Sequence, residues 1–320
     1  MTCRVSVVIP THNRTDSLMC LLKQIQTQAE IGHLTIFTTI ILAGPQEETL
    51  QAVKAQFPLC QIIHGQEDWW WTTSVNHGCL NAIKENADAI LLLNDDLELH
   101  PHYFQNLFNA VQKYPHAIIG SLNLTREPQP RIFFSGAKSY RWLTGILQKY
   151  HPFLAPHDHP LQGIHPSIVL PGRGLWIPSE MFAQIGFFDE IKLPQYKSDY
   201  DFVFRAHQHN IETLISWDAV IYTHPETCGS GTTFTKQPIW RYFFSLFEKH
   251  SRTNLCQNTR YYWRIHPRWG LLFFPCTAIM ILSRQFYCLI TQQKYTCHPQ
   301  KAKNNTKPGV SNPPIVPMDN

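Results

Sequence analysis

The sequence predicts an α/β fold with a mixed, mainly parallel sheet that is flanked by helices. Over the first half of the chain, short runs of apolar and β-branched residues alternate with stretches of helical periodicity. Such alternation is typical of parallel strands that are joined by right-handed helical crossovers. In addition, residues 89–93 are apolar without interruption, as expected of a strand that is buried on both faces.

Size and composition place the chain among globular proteins. It has 320 residues, 43% hydrophobic and 16% charged, so it can bury a full core. The net charge of +4 is too small to indicate nucleic acid as a partner. Nine cysteines include no C-x-x-C pair, and Cys20 and Cys79 fall in apolar helical patterns, which favours reduced core thiols. The N-terminus shows no signal-peptide core, so we expect a cytoplasmic protein.

Apolar patterns and the breaks between them define the elements of the first half. Leu18, Leu21, Leu22 and Ile25 predict a helix with Thr15 as its N-cap. We predict strands at residues 5–9, 35–42, 61–63 and 89–93, and further helices at residues 47–56 and 73–85.

The second half is less regular, especially over residues 125–167, where proline, histidine and aromatic residues are dense. Pro101 opens a predicted helix that extends to Val111. We predict strands at residues 117–120, 132–134, 146–150, 168–170, 213–215 and 220–222, and helices at residues 179–185 and 198–209.

The C-terminal part has a different composition. Residues 271–282 are strongly apolar but contain Pro275, and a membrane-spanning helix needs about 20 apolar residues. A segment that lies on the membrane, a buried helix and a span therefore all remain open. The run is preceded by three arginines, as in a segment that contacts anionic headgroups: Arg260, Arg264 and Arg268. Residues 298–320 are predicted to be a disordered tail.

Two adjacent carboxylates, Asp95 and Asp96, directly follow the apolar strand at residues 89–93. Parallel sheets bind ligands beyond the carboxyl ends of their strands. Neighbouring acids repel each other there unless a divalent cation offsets their charge. The pair therefore indicates a metal and phosphate site, and the alternative is a solvated turn.

Several motifs occur in order over residues 5–224. They are Val7-Val8-Ile9-Pro10-Thr11-His12-Asn13-Arg14, Trp70-Trp71-Thr72 with Asn76 and Gly78, Leu92-Leu93-Asn94-Asp95-Asp96, Gly186-Phe187-Phe188-Asp189-Glu190, and Ser198-Asp199-Tyr200-Asp201-Phe202 with Arg205. With them, the chain resembles a family 2 glycosyltransferase of the GT-A type. It is most similar to members that build bacterial surface polysaccharides, including rhamnosyltransferase-like ones.

The chain departs from the family pattern at two places. Many relatives end the second strand with an aspartate that contacts the nucleotide base, whereas this chain has Ala43, Gly44 and Pro45 there. The usual Glu-Asp pair before the late helix is Ser198-Asp199. Base recognition by a carboxylate is therefore not expected in this chain.

The resemblance implies a metal and a catalytic base. Asp96 matches the ligand position for Mg²⁺ or Mn²⁺, and His224 matches a position that completes the metal shell or meets a phosphate. Asp199 matches the general base; its alternative role is that of a helix N-cap. Arg205 lies four residues after Asp201, so we expect a structural ion pair between them.

The resemblance also implies a donor-binding set. Its members are Pro10, Thr11, Asn13, Arg14, Trp71, Asn76, Asp95 and Arg173. Helix capping is the alternative for the loop residues, core packing for the tryptophan, and an ordinary salt bridge for Arg173 between its two glycines.

We therefore expect an inverting, metal-dependent enzyme that moves a sugar from a nucleoside diphosphate donor to a hydroxyl of a lipid-linked surface glycan. Alternatives are a sugar nucleotidyltransferase and an inactive glycan- or nucleotide-sugar-binding protein. The expected location is peripheral, on the inner face of the plasma membrane, with anionic lipid as a partner and no nucleic acid. The expected divisions are a GT-A domain at 1–234 (nucleotide half 1–120, acceptor half 121–234), a helical membrane-associating extension at 235–297, and a tail at 298–320.

Overall fold

The strands predicted in the first half of the chain lie side by side and parallel. In the computed structural model, β1 (Cys3–Thr11) pairs with β2 (Leu34–Ala43) on one side and with β4 (Ala89–Leu92) on the other. β3 (Gln61–Gly65) pairs with the far side of β2. The structure describes residues 3–29, 34–141, 147–224, 244, 246–248, 251, 254–265, 279 and 283. The predicted parallel centre of the sheet is confirmed.

The helices of this half differ from the prediction only at their ends. They are α1 (Thr15–Gln28), α2 (Glu47–Gln56) and α3 (Trp71–Lys84). The prediction that Thr15 caps α1 is wrong, because Arg14 occupies the N-cap position. The Thr15 hydroxyl instead bonds that of Thr49 at 2.7 Å, which ties α1 to α2. Cys79 is buried as predicted, but Cys20 is exposed, so its assignment to the core is wrong.

Close packing of α3 on the sheet requires Gly78. A Cβ atom at this position would lie 2.4 Å from Cγ1 of Val8 and 2.9 Å from Cδ1 of Ile41. A side chain here would push α3 away from β1 and β2. The start of α3, where the tryptophan cluster of Trp69, Trp70 and Trp71 lies, depends on this contact for its position.

The second half adds strands of both directions to the same sheet. They include β5 (Leu97–Leu99), β6 (Ile118–Thr125), β12 (Leu175–Pro178) and β13 (Thr213–Thr223). β12 lies antiparallel between β4 and β6, and β13 runs parallel to β6 and antiparallel to β5. The two strands predicted at 213–215 and 220–222 form one strand with a register shift between Ser216 and Val220.

The strand predicted at residues 168–170 is wrong. Val169 and Leu170 are fully buried but lie in a loop, and the strand begins only at Leu175. Leu170 packs on Gly120, where a Cβ atom would be 2.6 Å from its Cδ2 atom. The apolar run at residues 168–170 therefore indicates a buried segment and not a paired strand.

The remaining elements surround this sheet. They are α4 (Tyr103–Lys113), β7 (Arg131–Phe134), β8 (Ala137–Tyr140), β9 (Leu147–Lys149), β10 (Ala155–Pro156), β11 (Ile164–Pro166), α5 (Met181–Ile185), α6 (Ser198–Gln208) and α7 (Leu255–Ile265). Side chains alternate between two cores, one with α1, α2 and α4 and one with α3, α5 and α6. Neighbouring Val7 and Val8 of β1 thus point into different cores.

α7 lies beyond the boundary predicted at residue 234 and packs on α6. Arg264 of α7 binds the buried carboxylate of Asp201 at 2.6 Å and Asp189 at 2.7 Å. The prediction that Arg264 faces lipid headgroups is therefore wrong. None of the helices within the described ranges is long and apolar enough to cross a membrane. The predicted apolar segment, apart from Ile279, and the tail at 298–320 lie outside the described residues.

Candidate active site

Asp95 and Asp96 follow β4 and are buried, each 4% exposed. The Thr11 hydroxyl donates to Oδ2 of Asp95 at 2.8 Å, and the Arg14 guanidinium donates to Oδ1 at 3.0 Å. The same guanidinium lies 3.3 Å from Oδ2 of Asp96. Burial and the Asp96 charge raise the pKa of Asp95, and Arg14 and Thr11 lower it; the net shift is upward. The first strand-to-helix loop thus holds the acid pair at the carboxyl end of β4.

The free oxygen of Asp96 suits a cation. Its Oδ1 atom is buried and has no hydrogen-bond partner among the described residues. A buried carboxylate oxygen without a partner is costly, and a hard divalent cation is a ligand that would satisfy it. No three histidine, cysteine, aspartate or glutamate side chains converge as a metal cluster in the described ranges. The role of Asp96 stays a prediction.

His224 lies at the same edge but contacts a different acid. Thr223 pairs with Leu97 in the antiparallel ladder of β13 and β5, so the next position, His224, comes opposite Asp96. Its Nε2 atom lies 2.8 Å from Oε1 of Glu98. A metal shell shared by Asp96 and His224 therefore stays a prediction, and it requires either Nδ1 of the imidazole or an Nε2 atom released from Glu98.

Gln46 is a site-forming residue that the sequence analysis missed. Its amide donates to the carbonyls of Thr11 at 3.1 Å and Ala43 at 3.0 Å, and its oxygen accepts from the Asn13 amide at 2.8 Å. Asn13 has a left-handed backbone with φ 54°. Gln46 thus joins the loop after β1 to the end of β2, beside the predicted donor residue Pro10. A polar residue just before a helix is interpreted as a helix N-cap, so the sequence does not predict that Gln46 connects the two loops.

Trp71 connects the acid pair to the opposite side of the site. Its indole N–H donates to Oδ1 of Asn94, next to Asp95, at 3.0 Å. Its ring lies so close to Gly172 that a Cβ atom there would be 2.2 Å from the ring atom Cζ2. The Gly172 N–H in turn donates to Oδ2 of Asp199 at 2.9 Å. Three predicted site regions are thus brought into contact through one indole.

Asp199 lies in the first turn of α6, but it is not the N-cap. That position belongs to Lys197, which has a left-handed backbone with φ 69°. The Asp199 carboxylate accepts from the backbone N–H groups of Gly172 and Tyr200, both at 2.9 Å. Burial raises its pKa, while these hydrogen bonds and the positive charge of Arg173 lower it; the net shift is upward. A carboxylate in this environment is poised to accept a proton.

Arg173 lies close to Asp199 and also contacts β13 and β7. Its guanidinium lies 3.5 Å from the Thr223 hydroxyl and 5.3 Å from the centre of the Phe133 ring. Stacking on an aromatic ring helps to hold a guanidinium in place. Its contact with a donor stays a prediction.

Asn76 has a structural contact that the sequence analysis did not foresee. Its side-chain amide donates to the Phe188 carbonyl and to Oε2 of Glu190, both at 2.9 Å, and its oxygen accepts from the Phe188 N–H. These contacts hold the turn after α5 against α3. Its role in binding a donor stays a prediction.

Two other acids near Asp199 in sequence have arginine partners. Asp201 is 1% exposed and accepts from Arg205 at 3.0 Å, which confirms the expected ion pair, as well as from Arg264. Asp189 accepts from the same Arg264. Arginine neutralises both carboxylates, which leaves Asp199 as the better candidate for proton transfer.

The comparison with family models gives a match over the first half of the chain. Residues 6–155 match the model of glycosyl transferase family 2. The match spans a little under half of the chain, and over these residues the chain is similar to family 2 glycosyltransferases. The match covers the acid pair and the tryptophan cluster, whereas Gly172, Asp199 and His224 lie beyond it. No match is found among curated proteins.

Solved glycosyltransferase structures share the fold over almost the whole chain. A crystal structure of GalNAc-T7 with UDP, GalNAc and Mn²⁺ aligns with 91% of this chain at 13% identity and a TM-score of 0.59. The chain corresponds to 58% of the length of that GalNAc-T7 chain. Residues 1–349 of TarS from S. aureus align with 92% of this chain and 93% of their own length, at 12% identity and a TM-score of 0.51. The predicted GT-A fold is confirmed.

Proposed function

We propose that this chain transfers a sugar from a nucleoside diphosphate donor to an acceptor hydroxyl with inversion at the anomeric carbon. The observation that carries the proposal is the chain of contacts from Asp95 through Asn94, Trp71 and Gly172 to Asp199. These contacts support the proposal because the acid pair, which would face the leaving diphosphate, and Asp199, which would be the base, are joined through the same indole. An inverting transfer needs this pair of groups.

The residues around the acid pair would hold the donor diphosphate. Asp96, with its unpartnered oxygen, would bind Mg²⁺ or Mn²⁺, and His224 would join it through one of its ring nitrogens. When bound, the cation would offset the charge of the leaving diphosphate. Arg14 supplies positive charge on the same edge, and Thr11 fixes Asp95. The UDP and Mn²⁺ in the GalNAc-T7 structure support this assignment.

Asp199 would act on the other substrate. Its two backbone hydrogen bonds fix the carboxylate, so it needs little reorganisation to take the proton of an acceptor hydroxyl as the sugar carbon is attacked. The positive charge of Arg173 lowers the pKa of Asp199 and so favours its ionised, basic form. Positioned bases contribute typically 10²- to 10⁴-fold to the rate.

We further propose a lipid-linked surface glycan as the acceptor and peripheral attachment to the inner face of the plasma membrane. Both rest on the resemblance and on the composition of residues 260–290. Anionic lipid would be the membrane partner.

Asp199→Asn tests the mechanism. Turnover should fall by about 10²- to 10⁴-fold, and donor affinity should remain because the diphosphate is held at Asp96. Asp16→Asn is a matched control, since Asp16 is exposed and also lies in the first turn of a helix. Near-normal turnover of Asp199→Asn would exclude Asp199 as the base.

A thermal-shift series of nucleotide sugars with and without Mn²⁺ tests the donor and the metal. A ligand at a hundred times its dissociation constant adds about 2.7 kcal/mol to the unfolding free energy. Stabilisation should need the cation and be lost in Asp96→Asn. Equal stabilisation in EDTA would contradict the metal role, and binding without turnover would favour an inactive binding protein.

A further inference from the structure

We propose that Ser198 is a positioning residue: through Thr72 it ties the start of α6 to the start of α3 and so holds Asp199 against the donor side of the site. The inference rests on the proposed function, since it concerns the carboxylate that is assigned there as the base. The two hydroxyl oxygens lie 2.7 Å apart, and both side chains are 0% exposed. At Ser198 the chain departs from the Glu-Asp pattern, so the resemblance does not imply this contact.

The direction of the hydrogen bond between the two hydroxyls follows from the number of protons. The Thr72 hydroxyl donates to the Leu193 carbonyl at 2.7 Å. A hydroxyl has a single proton to donate, so Thr72 has none left for Ser198. Ser198 therefore donates to Thr72, and the three groups form one chain of hydrogen bonds that joins α6, α3 and the segment before α6.

The segment before α6 also caps α3. The side-chain oxygen of Gln195 accepts from the backbone N–H of Trp71 at 3.0 Å, and the Pro194 carbonyl accepts from that of Thr72 at 3.2 Å. These acceptors satisfy two of the four N–H groups that a helix leaves unpaired at its start. The first turn of α3 is thus fixed to residues 193–195, just before α6 begins.

The connection into α6 is also held by α7. Lys197, the N-cap of α6, has a left-handed backbone with φ 69°, which is uncommon for a residue with a side chain and needs support from its surroundings. Its ammonium donates to Oδ1 of Asn258 and lies 4.9 Å and 4.7 Å from the ring centres of Tyr261 and Tyr262. α7 therefore restrains Lys197, and the next residue, Ser198, supplies the restraint towards α3.

The position of α6 matters because the Asp199 carboxylate is held by a separate loop. The Gly172 N–H donates to Oδ2 of Asp199 at 2.9 Å, and the Trp71 ring lies against Gly172. Trp71 and Asp199 stand in the two first turns that the hydroxyl pair joins. Without the bond from Ser198, α6 can move relative to α3, and the carboxylate then moves relative to Gly172.

Two substitutions separate the hydrogen bond from the packing around it. Ser198→Ala removes the bond between the helices, while Thr72 keeps its bond to the Leu193 carbonyl. Thr72→Ser retains the hydroxyl that accepts from Ser198 and removes only a methyl group. A positioning role requires the first substitution to act on Asp199 and the second to leave it unchanged.

Ser6→Ala is a matched control on β1. Ser6 is 0% exposed and lies 3.4 Å from the Thr39 hydroxyl, which donates in turn to Oε1 of Gln61. The same serine–threonine arrangement is therefore broken, but at a place five residues before Thr11, roughly 16 Å along an extended strand.

The first measurement needs no substrate. The titration of the Asp199 carboxyl group is followed by NMR, and its signal is assigned by its absence in Asp199→Asn. Burial is the largest cause of the raised pKa of Asp199, ahead of the bond from Gly172. A loosened α6 admits water, so in Ser198→Ala the pKa should fall towards the ordinary value of 3.8. It should be unchanged in Thr72→Ser and in Ser6→Ala.

The groups that influence this titration are the same in every variant. Arg173 and Tyr140 lie close enough to Asp199 for their charges to interact with the carboxylate, and neither is replaced. A change of the pKa in Ser198→Ala therefore reports the position and hydration of Asp199 itself.

Turnover is the second measurement. The probes are an alkyl glycoside as acceptor and the nucleotide sugar that stabilises the chain most with Mn²⁺. Ser198→Ala should lower kcat on the order of tenfold, because a misplacement of about 1 Å at a reacting group can cost about a hundredfold. KM for the donor should be unchanged. Thr72→Ser and Ser6→Ala should keep the native kcat, although Ser6→Ala lowers the melting temperature as Ser198→Ala does.

An unchanged pKa of Asp199 in Ser198→Ala, or an equal change in Ser6→Ala, would overturn the inference. A loss of kcat in Thr72→Ser as large as that in Ser198→Ala would do the same, because it would assign the effect to packing. A shifted pKa in Ser198→Ala together with no transfer by the native chain would support the tie between the helices and contradict the proposed function.

Discussion

At the scale of single residues, the surroundings of Asp199 determine how activity depends on pH. Its pKa is raised above the ordinary value of 3.8, chiefly by burial. A base must be unprotonated, so turnover should decrease as the pH falls through this raised pKa. Log kcat against pH measures it. An acid limb at or below 3.8 would contradict the assignment.

The same shift predicts the opposite trend in stability. Between the unfolded and the raised folded pKa, the folded state binds more protons than the unfolded state, so the unfolding free energy decreases as the pH rises. The melting temperature of the native chain relative to Asp199→Asn should therefore fall over this window, while turnover of the native chain rises. A relative increase would show that the carboxylate is stabilised in its charged form.

Gly172→Ala tests the contact between the two sides of the site. The added methyl group would lie 2.2 Å from the Trp71 ring, so the loop or the indole must shift. Overpacking of this kind costs about 1–3 kcal/mol, and turnover should fall because the Gly172 N–H no longer fixes Asp199.

A second substitution serves as the control. Trp71→Phe removes the ring atoms that meet the methyl group, so the double variant should be more stable than Gly172→Ala alone. Strictly additive changes in the unfolding free energy would show that the two residues do not interact.

The positions of some site residues can be predicted from the sequence, whereas the contacts between them cannot. Asp95 and Asp199 stand at a strand end and a helix start, places that periodicity can locate. The links between them could not be predicted, because they join Trp71 to Gly172 across a hundred residues of chain. A hydrogen bond donated by a backbone N–H, such as that from Gly172 to Asp199, does not depend on the type of side chain and therefore cannot be predicted from the sequence.

At the scale of elements, α6 is held by the helix that follows it late in the chain. Arg264→Met on α7 should lower the unfolding free energy by about 3 kcal/mol, because Asp201 is 1% exposed and would lose one of its two arginines. Urea denaturation measures the change. Arg260→Met is the matched control, since Arg260 is exposed on the same helix and should have a change within about 0.5 kcal/mol. Equal effects would remove the special role of Arg264.

Elements were predicted where a periodic pattern coincided with burial on one face. α1 and α2 are examples, and only the cap of α1 was wrong. β12 was placed too early because residues 168–170 are as apolar as a strand although they form a loop. Pairing with a distant partner, here β4, decides such cases, and it is invisible to local patterns.

At the scale of the whole molecule, the contacts of α7 decide where the chain can be cut. A chain that ends near residue 240, just past the predicted boundary at 234, loses Arg264. A chain that ends after residue 265 keeps it and is the better comparison for membrane binding. The full chain should bind vesicles of anionic lipid, more weakly in high salt, and the shorter chain should not. Flotation measures both; equal binding would place the membrane contact outside residues 266–320.

The order of strands in the sheet has a consequence for synthesis. β4 pairs with β1 on one side and with β12 on the other, and β12 lies between β4 and β6. During translation, the edges of β4 and β6 that pair with β12 stay unpaired until residue 178 has left the ribosome. Unpaired apolar strand edges associate with other chains. A fragment of residues 1–155, the part that the family model covers, should therefore aggregate on expression, whereas extension past the end of β13 should restore solubility. A soluble, monomeric fragment would show that β12 joins a sheet that is already closed by other means.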